Sequence, residues 1–323
     1  MFWSKKFDPS RDLADLTGKV VIVTGANTGI GYSTVKHLAR KGAKVYLGAR
    51  SEEKGKAAVE KLQGEGIGAG EVVWLPCSFN TPAQAKEAAE HFLKLENRLD
   101  ILVNNAGCTG DDKPAQDGIT EMMMVNHIGT FQFTTSLLPL LQKTSEDPAA
   151  DVRIITLASD AHRQGVATKP DLDFKSLDIF RNFFNDDRIP YFSRYFISKL
   201  ANVLFTNALQ RKLSSSNPNI ICISLNPGLV KTSISEKSGV PFFMFILVWL
   251  FSVPPDEGAY NSCFAAASPL VRQDAEKYKG AYLEPVGKIG KAAANALRTD
   301  LQDDLWKTTE EYLESSGAPA NEE

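Results

Sequence analysis

The stretch KVVIVTGANTGIG, residues 19–31, decides how this chain folds. Its first part, Lys19 to Val23, is short, apolar and β-branched, the composition of a strand buried on both faces. Its second part places Gly25, Gly29 and Gly31 in one turn, ahead of YSTVKHLARKG (32–42), whose apolar residues recur at helical spacing up to Gly42. One glycine would suffice for a turn. Several predict a backbone that a large anion approaches, with the positive end of the next helix aimed at it.

The same rhythm runs outward from that stretch. AKVYLGA (43–49), EVVWLPC (71–77), LDILVNNAG (99–107), VRIITLAS (152–159), IICISLNPG (220–228) and GAYLEP (280–285) read as strands. Between them lie predicted helices at 51–63, opened by Ser51 as N-cap, and 81–96, opened by Thr81 and Pro82. Further helices are predicted near 120–141, 194–213, 256–267 and 300–313. Alternation of this kind predicts a doubly wound α/β fold, a parallel sheet with helices on both faces in a single domain. Such sheets bind ligands beyond the carboxyl ends of their strands, near the topological switch. Gly25 then makes the tight turn, while Gly29 and Gly31 admit a pyrophosphate to the backbone N–H groups.

Composition narrows the function. The 323 residues carry 36 Lys+Arg against 39 Asp+Glu, a net charge of −3, with no long basic block, so nucleic acid is not an expected partner. Cys77, Cys108, Cys222 and Cys263 are far apart and unpaired in spacing, and read as small apolar residues in a reducing, cytoplasmic setting. The four histidines show no metal-ligand spacing, so no metal is expected. Residues 1–16 read as an N-terminal extension without a secretory h-region, 17–313 as the domain, and 314–323 as a disordered tail. Phe2 and Trp3 suit either a frayed tail or contact with a membrane surface.

The first turn has the spacing TGxxxGIG, and four more stretches follow in order: NNAG (104–107), VNHIGTF (125–131), YFISK (195–199) after ASDAH (158–162), and NPGLVKT (226–232). Together they resemble the short-chain dehydrogenase/reductase family over roughly residues 17–310, with YFISKLANVLFTNAL and ARSEEKG most similar to its retinol-dehydrogenase-like branch. The resemblance implies a Rossmann fold and hydride transfer to or from a nicotinamide. It implies Ser159, Tyr195, Lys199 and Asn126 as the catalytic set. The residues support that chemistry on their own terms. A free phenol has a pKa near 10, and Lys199 lies four residues beyond Tyr195 on one helix face, where its ammonium favours phenolate. Ser159 ends a strand and can hold the substrate oxygen, while for Asn126 it is the resemblance that implies a role, supporting a water that links the lysine to solvent. Singly, each has a plainer reading as a packed aromatic, a solvated charge, a turn residue or a helix-bend residue.

Cofactor contacts implied by the resemblance are Gly25, Asn27, Thr28, Gly29, Ile30 and Gly31 at the first turn, and Asn105, Ala106 and Gly107 after the fourth strand. Tyr195 and Lys199 on the helix, and Pro227, Gly228, Val230 and Thr232 after the sixth strand, complete them. Ala49 stands where NAD-preferring members carry an acid, and Arg50 follows it, which favours NADP(H) over NAD(H). Ser78 stands where the family has an Asp near the adenine.

Residues 160–194 read as a specificity loop or a surface insertion. Residues 233–255 occupy the place of the family's substrate-covering segment, and FFMFILVWLF within them is apolar on every side. That stretch suits core burial, a lipophilic ligand, another subunit in a homo-oligomer, or peripheral contact of 240–253 with an intracellular membrane. The expected substrate is a small lipophilic alcohol, ketone or aldehyde of retinoid, steroid, terpenoid or polyketide type, as in secondary metabolism. A cofactor-binding sensor or scaffold without catalysis is the alternative, although such a protein would be expected to break the Tyr–Lys pair.

Overall fold

In the computed structural model the described residues are 6–109, 113–217, 219–231 and 252–317. Strand β1, Val20–Val23, shows why its sequence is apolar throughout. Val20 and Ile22 point into one core, Val21 and Val23 into another on the opposite face of the sheet, and all four are buried. The remaining strands are β2 (Lys44–Ala49), β3 (Glu71–Pro76), β4 (Ile101–Asn104), β5 (Arg153–Leu157), β6 (Ile221–Leu225), β7 (Tyr282–Glu284) and β8 (Lys288–Ile289). They form one sheet in the order β3-β2-β1-β4-β5-β6-β7-β8. All neighbours are parallel except β8, a two-residue antiparallel return after β7 that the sequence reading did not include.

Helices cover both faces. One face carries α1 (Gly29–Arg40), α2 (Glu52–Glu65) and α6 (Tyr260–Ala267), whose Val35, Leu38, Leu62 and Ala265 are inaccessible to solvent. The other carries α3 (Pro82–Leu93), α4 (Thr130–Ser145), α5 (Pro190–Ser216) and α7 (Thr299–Ser315), with Phe92, Leu137, Leu200 and Leu301 buried. The caps sit where the sequence puts them: Ser51 accepts a hydrogen bond from Lys54 N at 3.3 Å, and Thr81 from Gln84 N at 3.2 Å. Leu13 and Leu16 of the N-terminal extension are also buried, held by Ala14 N to Ala267 O (3.0 Å) and Leu16 N to Lys41 O (2.7 Å). Among the described residues no helix is long and apolar enough to cross a membrane.

The segment 160–194, read as a specificity loop or a surface insertion, contributes to both core and cleft. It folds into short turns at Asp160–Arg163, Gly165–Thr168 and Asp178–Arg181, and its Phe174 and Phe180 are fully buried. Thr308 Oγ1 of α7 donates to Phe174 O at 2.6 Å. Phe174 and Phe180 are thus core residues, while much of the rest of the segment is exposed and Tyr191 and Phe192 line a cleft. The stretches 240–251 and 318–323 lie outside the described residues, as do Phe2, Trp3 and Thr232.

β1 has β2 on one side and β4 on the other, so the chain reverses its direction of winding between β1 and β4. Their carboxyl ends carry the glycine turn and the NNAG stretch. This is the switch point, and the cleft opens there.

Candidate active site

A cleft of about 590 Å³ runs along the carboxyl ends of the strands, from Arg50 and Ser78 at one end to Tyr191 and Phe192 at the other. The first turn forms its floor and is fastened to β4. Thr24 Oγ1 accepts from Asn105 N (3.1 Å) and Ala106 N (2.9 Å), while Asn105 Nδ2 donates to Thr24 O (2.8 Å) and Gly25 O (3.0 Å). Gly25 has φ +62°, and a β-carbon there would lie 2.7 Å from Ala106 Cα. Gly31 also has a packing role in that turn. A β-carbon on it would lie 2.5 Å from Asn105 Nδ2 and 2.8 Å from Gly25 O, so its absence makes room for the clamp that holds the turn.

Asn27, Thr28, Ile30 and Gly31 line the cleft; Gly29, with φ +63°, shapes the turn and is not among the lining residues. Thr28, at the N-cap of α1, makes no side-chain hydrogen bond to the helix. The first-turn amides are thus not spent on that side chain, and a bare helix N-terminus over a cradle that tolerates no β-carbon fits an anionic diphosphate. Ala49 and Arg50 end β2 at the same cleft, with Arg50 exposed. Ser78 lines it too, its hydroxyl donating to Gln84 Oε1 at 2.8 Å.

The chemistry-bearing residues come from β5 and α5. Pro190 begins α5, four residues before the expected start, so Tyr191, Tyr195 and Lys199 stand on successive turns of one face. All three line the cleft, as does Ser159. Ser159 has extended backbone after β5; its Oγ accepts from Ala161 N at 3.2 Å and shares a hydrogen bond with the Tyr195 hydroxyl. Burial pushes the Tyr195 phenol up, and the bond with Ser159 opposes it. Lys199 Nζ stands 5.8 Å from the centre of the Tyr195 ring and donates to Leu157 O at 3.1 Å. Its own burial brings the ammonium down to about 8.

Asn126 reaches the loop after β4 from a bent helix. It is fully buried in a π-helical stretch, Met124–Gly129, and does not line the cleft. Its Oδ1 accepts from Cys108 N (2.7 Å), and its Nδ2 donates to Cys108 O (3.0 Å) and Ser198 Oγ (3.1 Å). It fixes the loop after β4 to α5 and is a positioning residue. Gly107 sits between them: a β-carbon there would be 3.4 Å from Asn126 Oδ1 and 3.6 Å from Lys199 Nζ.

His162, which the sequence did not single out, holds Ser159 from below. Its Nδ1 is 2.6 Å from Ser159 O and its Nε2 3.1 Å from Ala293 N. A carbonyl can only accept and an amide can only donate, so Nδ1 carries the proton and the ring is neutral. Burial lowers the imidazole further.

Asn105, Ala106, Gly107, Pro227, Gly228 and Val230 line the cleft as expected. Gly228 has φ +86° and donates to Asn226 Oδ1 at 3.0 Å. Val230 packs its side chain where a β-carbon of Gly258 would be 2.6 Å away. The residues flanking 232–251 meet at the rim: Lys231 N donates to Val253 O (3.0 Å) and Val253 N to Leu229 O (2.9 Å). Sequence reasoning missed Cys108, Thr109, Glu121, Val125, Tyr191 and Phe192, which form the far end of the cleft. Tyr191 had a signal, one helical turn before Tyr195, and with Phe192 it lies inside the 160–194 stretch read as a specificity loop or a surface insertion; the other four sit in loops and a bent helix with none.

Comparison with known proteins agrees with this arrangement. Residues 19–170 match the family model described as short chain dehydrogenase. A short-chain dehydrogenase/reductase of Armillaria gallica is 42% identical over 96% of this chain and 97% of its own length. The short chain dehydrogenase/reductase dpchH of Colletotrichum higginsianum is 40% identical over 96% of this chain and 78% of its own length. Among solved structures, an uncharacterised protein from Mycobacterium paratuberculosis superposes with a TM-score of 0.70 at 25% identity, covering 94% of this chain and 97% of that one. With that fold, that cleft and relatives matched nearly end to end, the chain belongs to the short-chain dehydrogenase/reductase family, oxidoreductases that bind a nicotinamide cofactor.

Proposed function

We propose that this protein transfers a hydride between NADP(H) and a lipophilic alcohol, ketone or aldehyde, with Tyr195 as the acid/base. The observation that carries the reading is the Tyr195 hydroxyl bonded to Ser159 in the cleft, one helical turn from Lys199. The bound nicotinamide supplies or accepts the hydride. The protein's own groups handle the proton. A phenol pushed up by burial keeps its proton at neutral pH, which suits donation to a carbonyl oxygen as that oxygen gains charge. Ser159 bonds the phenol and stands ready to hold the same substrate oxygen, fixing the distance of transfer. Lys199, charged below about 8, favours the phenolate left after donation. Asn126 and His162 keep the loop after β4 and the Ser159 backbone in place.

Arg50 at the end of β2, with Ala49 in place of an acid, supports NADP(H): a guanidinium suits a 2′-phosphate, and nothing at position 49 repels it. The lipophilic substrate class is supported by Phe192 and Val125 in the cleft wall, by Leu229 exposed at its rim, and by the apolar sequence 240–251 between two cleft-edge segments. Purified protein should oxidise NADPH with decalone-like or steroid-like ketones and leave small hydrophilic carbonyls untouched. Turnover of the hydrophilic carbonyls alone would remove the substrate class. No turnover of any carbonyl or alcohol, with NADPH still bound, would leave the sensor or scaffold reading in its place.

A further inference from the structure

The cleft has a second phenol, and the reaction described above does not use it. Tyr191 precedes Tyr195 by one turn of α5, so the two stand roughly 6 Å apart along the helix. Tyr191 lines the same cleft and shares a hydrogen bond with the Thr109 side chain across it. Both partners stand on fixed backbone. Thr109 follows Cys108, whose N–H and C=O are both taken by Asn126, at 2.7 and 3.0 Å. Tyr191 lies at the start of a 27-residue helix and packs edge-on against Phe192, which stacks on Phe196 with ring centres 5.8 Å apart. Glu121 reaches the same end of the cleft, and Val125 and Phe192 supply its apolar wall.

Two hydroxyls that share one hydrogen bond still hold a donor and several acceptor sites between them. A hydrocarbon lying against them leaves that capacity unmatched, whereas an oxygen on the ligand uses it. The apolar wall between the two phenols fits a carbon framework that carries an oxygen at each end.

We propose that Tyr191, positioned by Thr109, is a specificity-determining residue that binds a second oxygen on the substrate, so that the preferred substrates are hydroxyketones or diketones on a rigid lipophilic skeleton. The second oxygen would lie about one helical turn from the carbonyl that meets Tyr195. The inference deepens the oxidoreductase reading and rests on it for the location of the reacting carbon.

The test compares a bicyclic diketone with the monoketone of the same skeleton, using NADPH and the full-length protein. Wild-type kcat/KM should favour the diketone about tenfold, carried mainly by KM. In Tyr191→Phe, and separately in Thr109→Val, that ratio should fall to near one. A wild-type ratio near one, or a ratio that survives both substitutions, overturns the proposal. The same pair of compounds is titrated calorimetrically against NADPH-loaded Tyr195→Phe and Tyr195→Phe/Tyr191→Phe. If wild type reduces neither ketone, the oxidoreductase reading fails by itself. Tighter binding of the diketone that vanishes without the Tyr191 hydroxyl would still uphold the second-oxygen site, and equal binding would refute it.

Discussion

The two ends of the cleft are built by opposite means. At the cofactor end, residues 24–31 are held at their backbone: the Asn105 side-chain amide donates to Thr24 O and Gly25 O, and glycines stand where a β-carbon would strike neighbouring atoms at 2.5–2.8 Å. At the substrate end, side chains do the shaping: Tyr191, Tyr195 and Phe192 project from one helix toward Ser159, Thr109 and Val125. A backbone-built site tolerates almost no change and suits a ligand that never varies. A side-chain-built site can be re-cut by single substitutions without disturbing the sheet.

That contrast can be broken at several points. The largest effect on cofactor binding should come from Gly31→Val, because its β-carbon meets Asn105, Ala26 and Gly25 together. NADPH affinity, followed by fluorescence titration, should fall by at least about a hundredfold, near 3 kcal/mol. Retained affinity would mean that the turn is softer than its contacts imply. Ser159→Ala sits on the other side of the contrast. It should cost about a hundredfold in kcat with the NADPH dissociation constant unchanged, since only the hydroxyl beside Tyr195 is lost. A matching loss of NADPH binding would show the two ends to be coupled.

Cofactor choice should rest on a side chain at the cofactor end, Arg50. Wild type should prefer NADPH to NADH at least tenfold in kcat/KM, about 1.4 kcal/mol, and Arg50→Glu should abolish that preference. Equal kcat/KM values for the two dinucleotides in wild type would remove Arg50 from the account. The smallest effect is with pH. Lys199 holds its proton below about 8, and Tyr195 is raised from its ordinary value, so both groups are protonated in the range that supports carbonyl reduction. Ketone reduction should therefore be level between roughly pH 6 and 7 and decline above about 8, by up to about tenfold at pH 9 as Lys199 loses its charge. A rate that rises through that range would contradict the assignment.

What could be read from the sequence follows the same division. β1 and the turn after it were legible because burial on both faces forces an unbroken apolar run, and close backbone contact forces glycine. Tyr195, Lys199 and Ser159 were legible only together, through an order of motifs that resembles the family, since singly each has a plainer reading. The substrate end was not. Its residues are drawn from a loop after β4, a π-helical bend and the first turn of α5, where no periodicity joins them. The burial of Phe174 and Phe180 within 160–194 was not legible for a related reason. A buried turn with Phe174 and Phe180 has no repeating pattern, so its composition resembles an exposed loop until α7 is seen packed against it. Asn126 shows the remaining limit: sequence placed it among the functional residues, but only the fold reveals that it acts through Cys108 and Ser198.

The most direct measurement is single-turnover reduction of a lipophilic ketone by wild type and Tyr195→Phe, each preloaded with NADPH. The removal of one hydroxyl should leave NADPH binding intact and slow transfer by about a thousandfold. A Tyr195→Phe protein that transfers hydride within tenfold of wild type would contradict the role given to that phenol.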